Sequence, residues 1–162
     1  MFREMRRKAQ LLSCEESVAI LEKCSSGVLA VSGDDGYPYA VPLSYVFIDN
    51  AIYFHCAKVG HKIDAIRKDS KVSFCVIDQD QVVPEKFTTY FRSVIAFGKA
   101  HIIENRDELR EAILSIADKY SPGQYGRGEE IESSMKSLCI VKIEIEHISG
   151  KEAIELRKKK PT

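Results

Sequence analysis

A mostly β fold, with helices confined to its ends and connections, is predicted by three patterns in this sequence. Short segments rich in β-branched and aromatic residues follow one another from Gly27 onward, separated by Gly, Asp, Asn and Pro. The last long apolar segment alternates Cys139, Val141, Ile143 and Ile145 with Lys142, Glu144 and Glu146, the pattern of a sheet with one wet face. Helical periodicity appears only in short stretches near residues 13–24, 61–68 and 105–120. With 162 residues, 44% of them hydrophobic, the chain is long enough for one well-buried domain over 1–162 and too short for two. Six or so antiparallel strands joined by turns then argue for a closed or nearly closed barrel.

Each element has a local cause. Ser13-Cys14-Glu15-Glu16 reads as a capping box opening a helix that runs to about Cys24, with Val18, Ile20 and Leu21 at helical spacing and Ser25-Ser26-Gly27 ending it. A strand follows over 27–32, and Asp34-Asp35-Gly36 forms the turn after it. Residues 39–48 form the next strand, interrupted by Pro42, which has no N–H for a ladder and marks an edge, bulge or exposed backbone. Asp49-Asn50 turns the chain into a strand over 51–57. A short helix spans 61–68 with Ile63 and Ile66 inward, and Val72, Phe74 and Val76 alternate in a fourth strand. The polar stretch 79–88, containing Pro84, reads as a loop. Residues 90–103 form the longest strand, with Gly98 as a bulge or kink. Asn105 and Glu108 cap a helix whose stripe of Leu109, Ile113, Ile116, Ala117 and Tyr120 packs on the core, and a loop over 121–128 leads to a short helix near 129–137.

Charge and cysteine usage exclude several functions. Lys+Arg and Asp+Glu are equal at 24 each, so no global field attracts nucleic acid or an anionic membrane. The basic clusters at Arg3, Arg6, Arg7 and Lys8 and at Arg157 through Lys160 lack interleaved aromatics and read as solvated termini. No apolar run follows the N-terminus and no segment approaches bilayer length, which predicts a cytoplasmic protein. Cys14, Cys24, Cys56, Cys75 and Cys139 are odd in number and widely spaced, as expected of reduced thiols that mostly serve as small core residues. His55, Cys56 and His61 do not make a metal site, because neighbours on a strand point to opposite faces and no second ligand pair exists.

The most informative stretch is His55-Cys56-Ala57-Lys58-Val59-Gly60-His61-Lys62. A backbone that leaves a strand, turns at a glycine and opens a helix presents free N–H groups, and His61 and Lys62 add positive charge beside them. Such a corner holds a phosphate. Lys62 also has an ordinary reading as a solvated lysine, Arg92 as the partner of a carboxylate, and Ser44 and Ser93 as tolerated polar positions.

Read in order, the distinctive words are 36–45 (GYPYAVPLSY), 53–62 (YFHCAKVGHK), 72–74, 90–94 leading to Gly98-Lys99-Ala100, and 148–153 (ISGKEA). This series resembles the nitroimidazole-resistance branch of the pyridoxamine 5'-phosphate oxidase-like split barrels that bind flavin mononucleotide (FMN). The resemblance runs over essentially the whole chain. It implies a six-stranded antiparallel split β-barrel of the FMN-binding type, assembled as a homodimer with flavin at the subunit interface. It further implies that Val41, Pro42, Leu43 and Ser44 lie along the isoalloxazine edge through their backbone groups. His55, Cys56 and Ala57 would border the ribityl chain, His61 and Lys62 would hold the phosphate, and Arg92 and Ser93 would approach from the opposite strand or the other subunit.

Two departures qualify the match. The oxidases that give the family its name grip substrate with a C-terminal Trp/Arg signature, whereas this chain has no Trp and ends in Arg157 and a lysine run, which argues against vitamin B6 oxidation. Cys56 stands where the family carries a small hydroxyl, and a thiol is a weaker hydrogen-bonding partner. The resemblance implies an FMN-dependent oxidoreductase passing electrons to a small planar acceptor such as a nitroaromatic, with His55 the candidate proton donor. The alternatives are a flavin- or haem-binding module without turnover, and a barrel with no cofactor.

Overall fold

The computed structural model describes residues 1–123, 133 and 137–157. Seven strands form one antiparallel sheet: β1 (Ser26–Ser32), β2 (Pro38–Ser44), β3 (Val46–Ile48), β4 (Ala51–Ala57), β5 (Lys71–Val83), β6 (Thr88–Ile102) and β7 (Leu138–Glu152). Their hydrogen-bonded order is β2-β1-β5-β6-β7-β4-β3. The two terminal strands of that order are separated in the chain by Tyr45 alone, so the sheet curls until its ends meet at one residue, joined by chain and not by a ladder. This is a split-barrel arrangement with helices α1 (Cys14–Lys23), α2 (His61–Lys68), α3 (Arg106–Tyr120) and α4 (Ile154–Arg157) at its periphery.

Local chemistry sets the helix starts. Ser13 and Glu16 complete the reciprocal capping box of α1, and Asn105 Oδ1 accepts from the N–H groups of Asp107 and Glu108 to open α3. Asp49 and Asn50, with φ of 47° and 61°, make the two-residue turn of the β3–β4 hairpin. The main core fills the curl with Leu21, Leu29, Phe54, Phe74, Val94 and Ile143, and Ile63 and Ile66 of α2 close one side. A smaller cluster of Ile103, Ala112, Ile113 and Ile140 seats α3 against the sheet.

The strand count is seven instead of six because the strand expected over 39–48 is two, and the break falls at Tyr45, not at Pro42. Pro42 pairs with Val28 inside β2, where a terminal strand tolerates the missing N–H. At Tyr45 a side chain from α3 replaces the ladder. The Tyr120 hydroxyl accepts from Tyr45 N–H at 2.8 Å and lies within bonding reach of the carbonyls of Tyr45, at 2.7 Å, and Ser25.

The loop expected over 79–88 is also corrected. β5 continues to Val83, pairing Gln79 with Arg92, Gln81 with Tyr90 and Val83 with Thr88, and only Pro84–Lys86 and Phe87 form the turn. Its residues are polar because this hairpin extends into solvent, not because they lack a partner strand. Gly98 does sit at a register shift in the β6–β7 ladder, where a Cβ would meet Glu144 O at 2.1 Å. The predicted loop and short helix between 121 and 137 fall mostly outside the described residues.

Candidate phosphate corner and its surroundings

β4 delivers the chain to the corner. Strand alternation places His55 and Ala57 on the exposed face and Cys56 on the core face. After Lys58 and Val59, both exposed, Gly60 adopts φ 127° and ψ 169° and acts as the N-cap of α2 without any side-chain cap. A side chain would be strained at that φ, although a Cβ there would meet nothing within 4 Å. The Gly60 carbonyl accepts from Ile63 and Asp64. The N–H groups of His61 and Lys62 have no acceptor among the described residues, and the helix dipole adds positive potential at this end.

His61 is held sideways. Its ring stacks on Tyr39 of β2 with centroids 4.1 Å apart, and its Nε2 lies 3.7 Å from Asp34 Oδ2. This contact ties the α2 corner to the strand carrying the other predicted cofactor residues, and the sequence pattern predicts no such role for Tyr39. Its signal was present as an aromatic alternating on the inner face of β2. Along β2, Val41 and Leu43 turn toward the core while Pro42 and Ser44 are exposed. As the last strand in the sheet order, β2 leaves one edge of backbone groups free for a ligand.

Cys56 faces Cys139 directly across the β4–β7 ladder, with 3.4 Å between the sulfurs. Burial, then the hydrogen bond and charge of Cys139, push the Cys56 thiol well above its ordinary pKa, and the nearby Lys62 charge opposes the rise. Of the three residues expected beside a ribityl chain, His55 and Ala57 thus share the outward face and Cys56 looks inward.

Arg92 and Ser93 are not brought to this corner by the fold of the chain. They stand opposite Glu152 and Lys151 at the far end of β7, whereas His55 and Cys56 stand opposite Ile140 and Cys139 at its start. The Arg92 guanidinium contacts Glu152 through Nε at 3.1 Å and Nη2 at 3.0 Å, and Asp78 through Nη1 at 3.3 Å. Lys23 reaches Asp78 at 2.6 Å, and Arg157 reaches Glu152 and Glu16 at 3.5 and 3.3 Å. Arg157 is therefore a structural cation and not the solvated residue expected of the C-terminal basic run. The chain of charges links α1, β5, β6, β7 and α4 around Glu152, which is fully buried.

A cleft of about 720 Å³ lies elsewhere, between the N-terminal segment, the start of α1 and residues 145–149 of β7. Residues 57–61 are exposed to solvent. Among the described residues no group of three His, Cys, Asp or Glu side chains has the geometry to hold a metal, and no helix is long and apolar enough to cross a membrane.

A family model described as pyridoxamine 5'-phosphate oxidase matches residues 13–152. No curated protein matches the chain significantly. Among solved structures, a conserved hypothetical protein of Mycobacterium tuberculosis is 22% identical with a TM-score of 0.82, over 98% of this chain and 96% of that one. A protein from Bacteroides thetaiotaomicron provisionally named as a 5-nitroimidazole antibiotic resistance protein is 20% identical with a TM-score of 0.74, over 88% and 86% of the two chains. An FAD-binding protein from Mesorhizobium loti is 26% identical with a TM-score of 0.64, over 89% and 97%.

Proposed function

Because the chain belongs to the pyridoxamine 5'-phosphate oxidase-like family, we propose that it is an FMN-dependent oxidoreductase that reduces small planar acceptors such as nitroaromatics. The observation that carries this reading is the corner at Gly60, where the N–H groups of His61 and Lys62 open a helix that has no side-chain cap and carries a lysine in its first turn. The FAD-binding neighbour supports a flavin, and the nitroimidazole-resistance neighbour supports the acceptor class. In this reading Lys62 and the first turn of α2 take the phosphate, and His61 is kept in place by Tyr39. His55 and Ala57 flank the ribityl chain on the outward face of β4, and the backbone of Val41, Pro42, Leu43 and Ser44 along the free edge of β2 orients the ring. Cys56 contributes from behind, as part of the wall.

The whole chain, 1–162, acts as one flavin-binding unit within a two-fold homodimer, with Arg92 and Ser93 joining the site from the partner protomer. Ile77, Val82 and Phe87, 61%, 67% and 98% exposed, supply apolar surface on the β5–β6 hairpin that a second copy would cover. When bound, the flavin supplies the electron chemistry, and the protein binds, orients and shields it. His55 lies on the outward face beside the ribityl position, where its imidazole serves as the proton source for the reduced acceptor. The haem-binding alternative calls for a histidine or cysteine facing a large apolar slot. His55 and His101 are exposed, and His61 and His147 are occupied in ring stacks with Tyr39 and Phe2.

The test is anaerobic titration of the FMN-loaded protein with a reduced nicotinamide, followed by a nitroimidazole. Bleaching by the donor and return of the oxidised flavin spectrum on adding the nitroimidazole are expected. Bound flavin that the nitroimidazole does not reoxidise would favour a flavin store or sensor, and failure to bind flavin at all would remove the reading.

A further inference from the structure

The β4–β7 ladder ends in an unusual pair. Its earlier partners on the core face are large and apolar, Ile52 with Ile143 and Phe54 with Val141, but the next inward pair is Cys56 with Cys139. Both are nearly buried, at 8% and 7% exposure, and their sulfurs are 3.4 Å apart. The pair sits at the rim, one residue before the exposed Ala57 and Lys58, so a small solute approaching the corner is one layer away. Residues directly opposed on antiparallel strands have Cα atoms about 4.5 or 5.5 Å apart. Both spacings fall within the roughly 4.4–6.8 Å that a disulfide spans. Closing the sulfurs to bonding distance therefore needs side-chain rotation and little backbone movement.

We propose that Cys56 and Cys139 form a thiol–disulfide redox site, oxidised by hydrogen peroxide and reset by dithiols. Cys56, on the Lys62 side of the pair, attacks the peroxide first. Its sulfur bonds to one peroxide oxygen as the O–O bond breaks, giving a sulfenic acid and one water. The Cys139 sulfur then displaces the hydroxyl as a second water and forms the S–S bond. The two thiols lose two electrons and two protons, and the peroxide is reduced to two waters. An external dithiol reverses the bond by exchange and is itself oxidised. In the reduced protein Cys139 donates to the Ala57 carbonyl at 3.5 Å, a contact the disulfide removes, so oxidation reaches the backbone just before the Gly60 corner. Burial makes these thiols slower than an exposed one, and the exposed Cys14 serves as an internal clock.

The inference is independent of the flavin reading and is tested without cofactor. The full chain is exposed to excess hydrogen peroxide for many times the period that consumes Cys14, then denatured, alkylated, digested and mapped by mass spectrometry. The expected product is a peptide bearing Cys56 joined to one bearing Cys139, lost on treatment with dithiothreitol. In Cys139→Ser the same treatment should leave a sulfenic acid at Cys56 that dimedone traps. Recovery of both Cys56 and Cys139 as alkylated thiols after that exposure would overturn the proposal, as would their separate oxidation to sulfinic acids without a cross-link.

Discussion

Replacing Tyr120 by phenylalanine removes one oxygen atom from the end of α3, and the structure assigns that atom an unusual amount of the barrel's closure. The hydroxyl accepts from Tyr45 N–H at 2.8 Å and lies within reach of the carbonyls of Tyr45 and Ser25 and of the Ser44 side chain. Tyr45 is fully buried, so its N–H would be left without a partner, at a cost of about 1–3 kcal/mol, and the lost donation to a carbonyl adds about 0.5–1.5 kcal/mol. The ring stays in place through its packing, so the sum, about 1.5–4.5 kcal/mol, is an effect of the hydroxyl alone. With a urea m-value near 2 kcal/mol/M, the unfolding midpoint should fall by about 1–2 M with the slope unchanged. Urea titration followed by circular dichroism reads this directly. A midpoint shift below about 0.3 M would refute the claim that Tyr120 substitutes for the missing β2–β3 ladder.

Arg92→Met keeps the aliphatic stem but removes the cation shared by Asp78 and Glu152, and chemical denaturation should show a loss of about 2–4 kcal/mol; an unchanged midpoint would contradict the network. Burial raises the Asp78 pKa, but the hydrogen bonds and charges of Lys23 and Arg92 outweigh it and hold the carboxyl below its ordinary value. A folded-state pKa below the unfolded one, about 3.9, means a stabilisation present above that pH and lost as pH falls through it toward the folded value. Stability of Asp78→Asn should therefore depend less steeply on pH below about 4 than that of the parent, and parallel curves would count against the assignment. Gly98→Ala places a methyl 2.1 Å from the Glu144 carbonyl oxygen and should cost about 1–3 kcal/mol by thermal or urea unfolding, whereas a neutral change would mean the bulge is freely deformable.

Features with local causes were legible in the sequence. The capping box at Ser13 and Glu16, the Asn105 cap, the Asp49-Asn50 turn and the Gly60 corner each depend on residues within a few positions of one another, and each appears where the pattern put it. What the pattern missed is set by distant partners. The break at Tyr45 is made by a hydroxyl 75 positions away, and Cys56 meets Cys139 across 83. Arg157 is anchored by Glu16 across 141. The outer half of β5 looked like a loop because a hairpin with wet faces and a loop share the same composition, and only the ladder with β6 distinguishes them. The site divides the same way, with the contiguous corner readable from its residues and the partners of Arg92 and the stacking of Tyr39 on His61 visible only in three dimensions.

The central claim is that the Gly60 corner holds the phosphate of FMN, and the most direct measurement is a parallel titration of FMN and riboflavin into the parent apoprotein and Lys62→Ala. Lys62 is on the first turn of a peripheral helix and only partly buried, so the variant should fold normally by circular dichroism. Loss of one charge-assisted contact, about 1.5–3 kcal/mol, predicts FMN binding weaker by roughly ten- to a hundredfold. Riboflavin, which has no phosphate, should bind the parent much more weakly than FMN and respond little to the substitution. Equal FMN affinity in the two proteins would contradict the account and remove the phosphate from this corner.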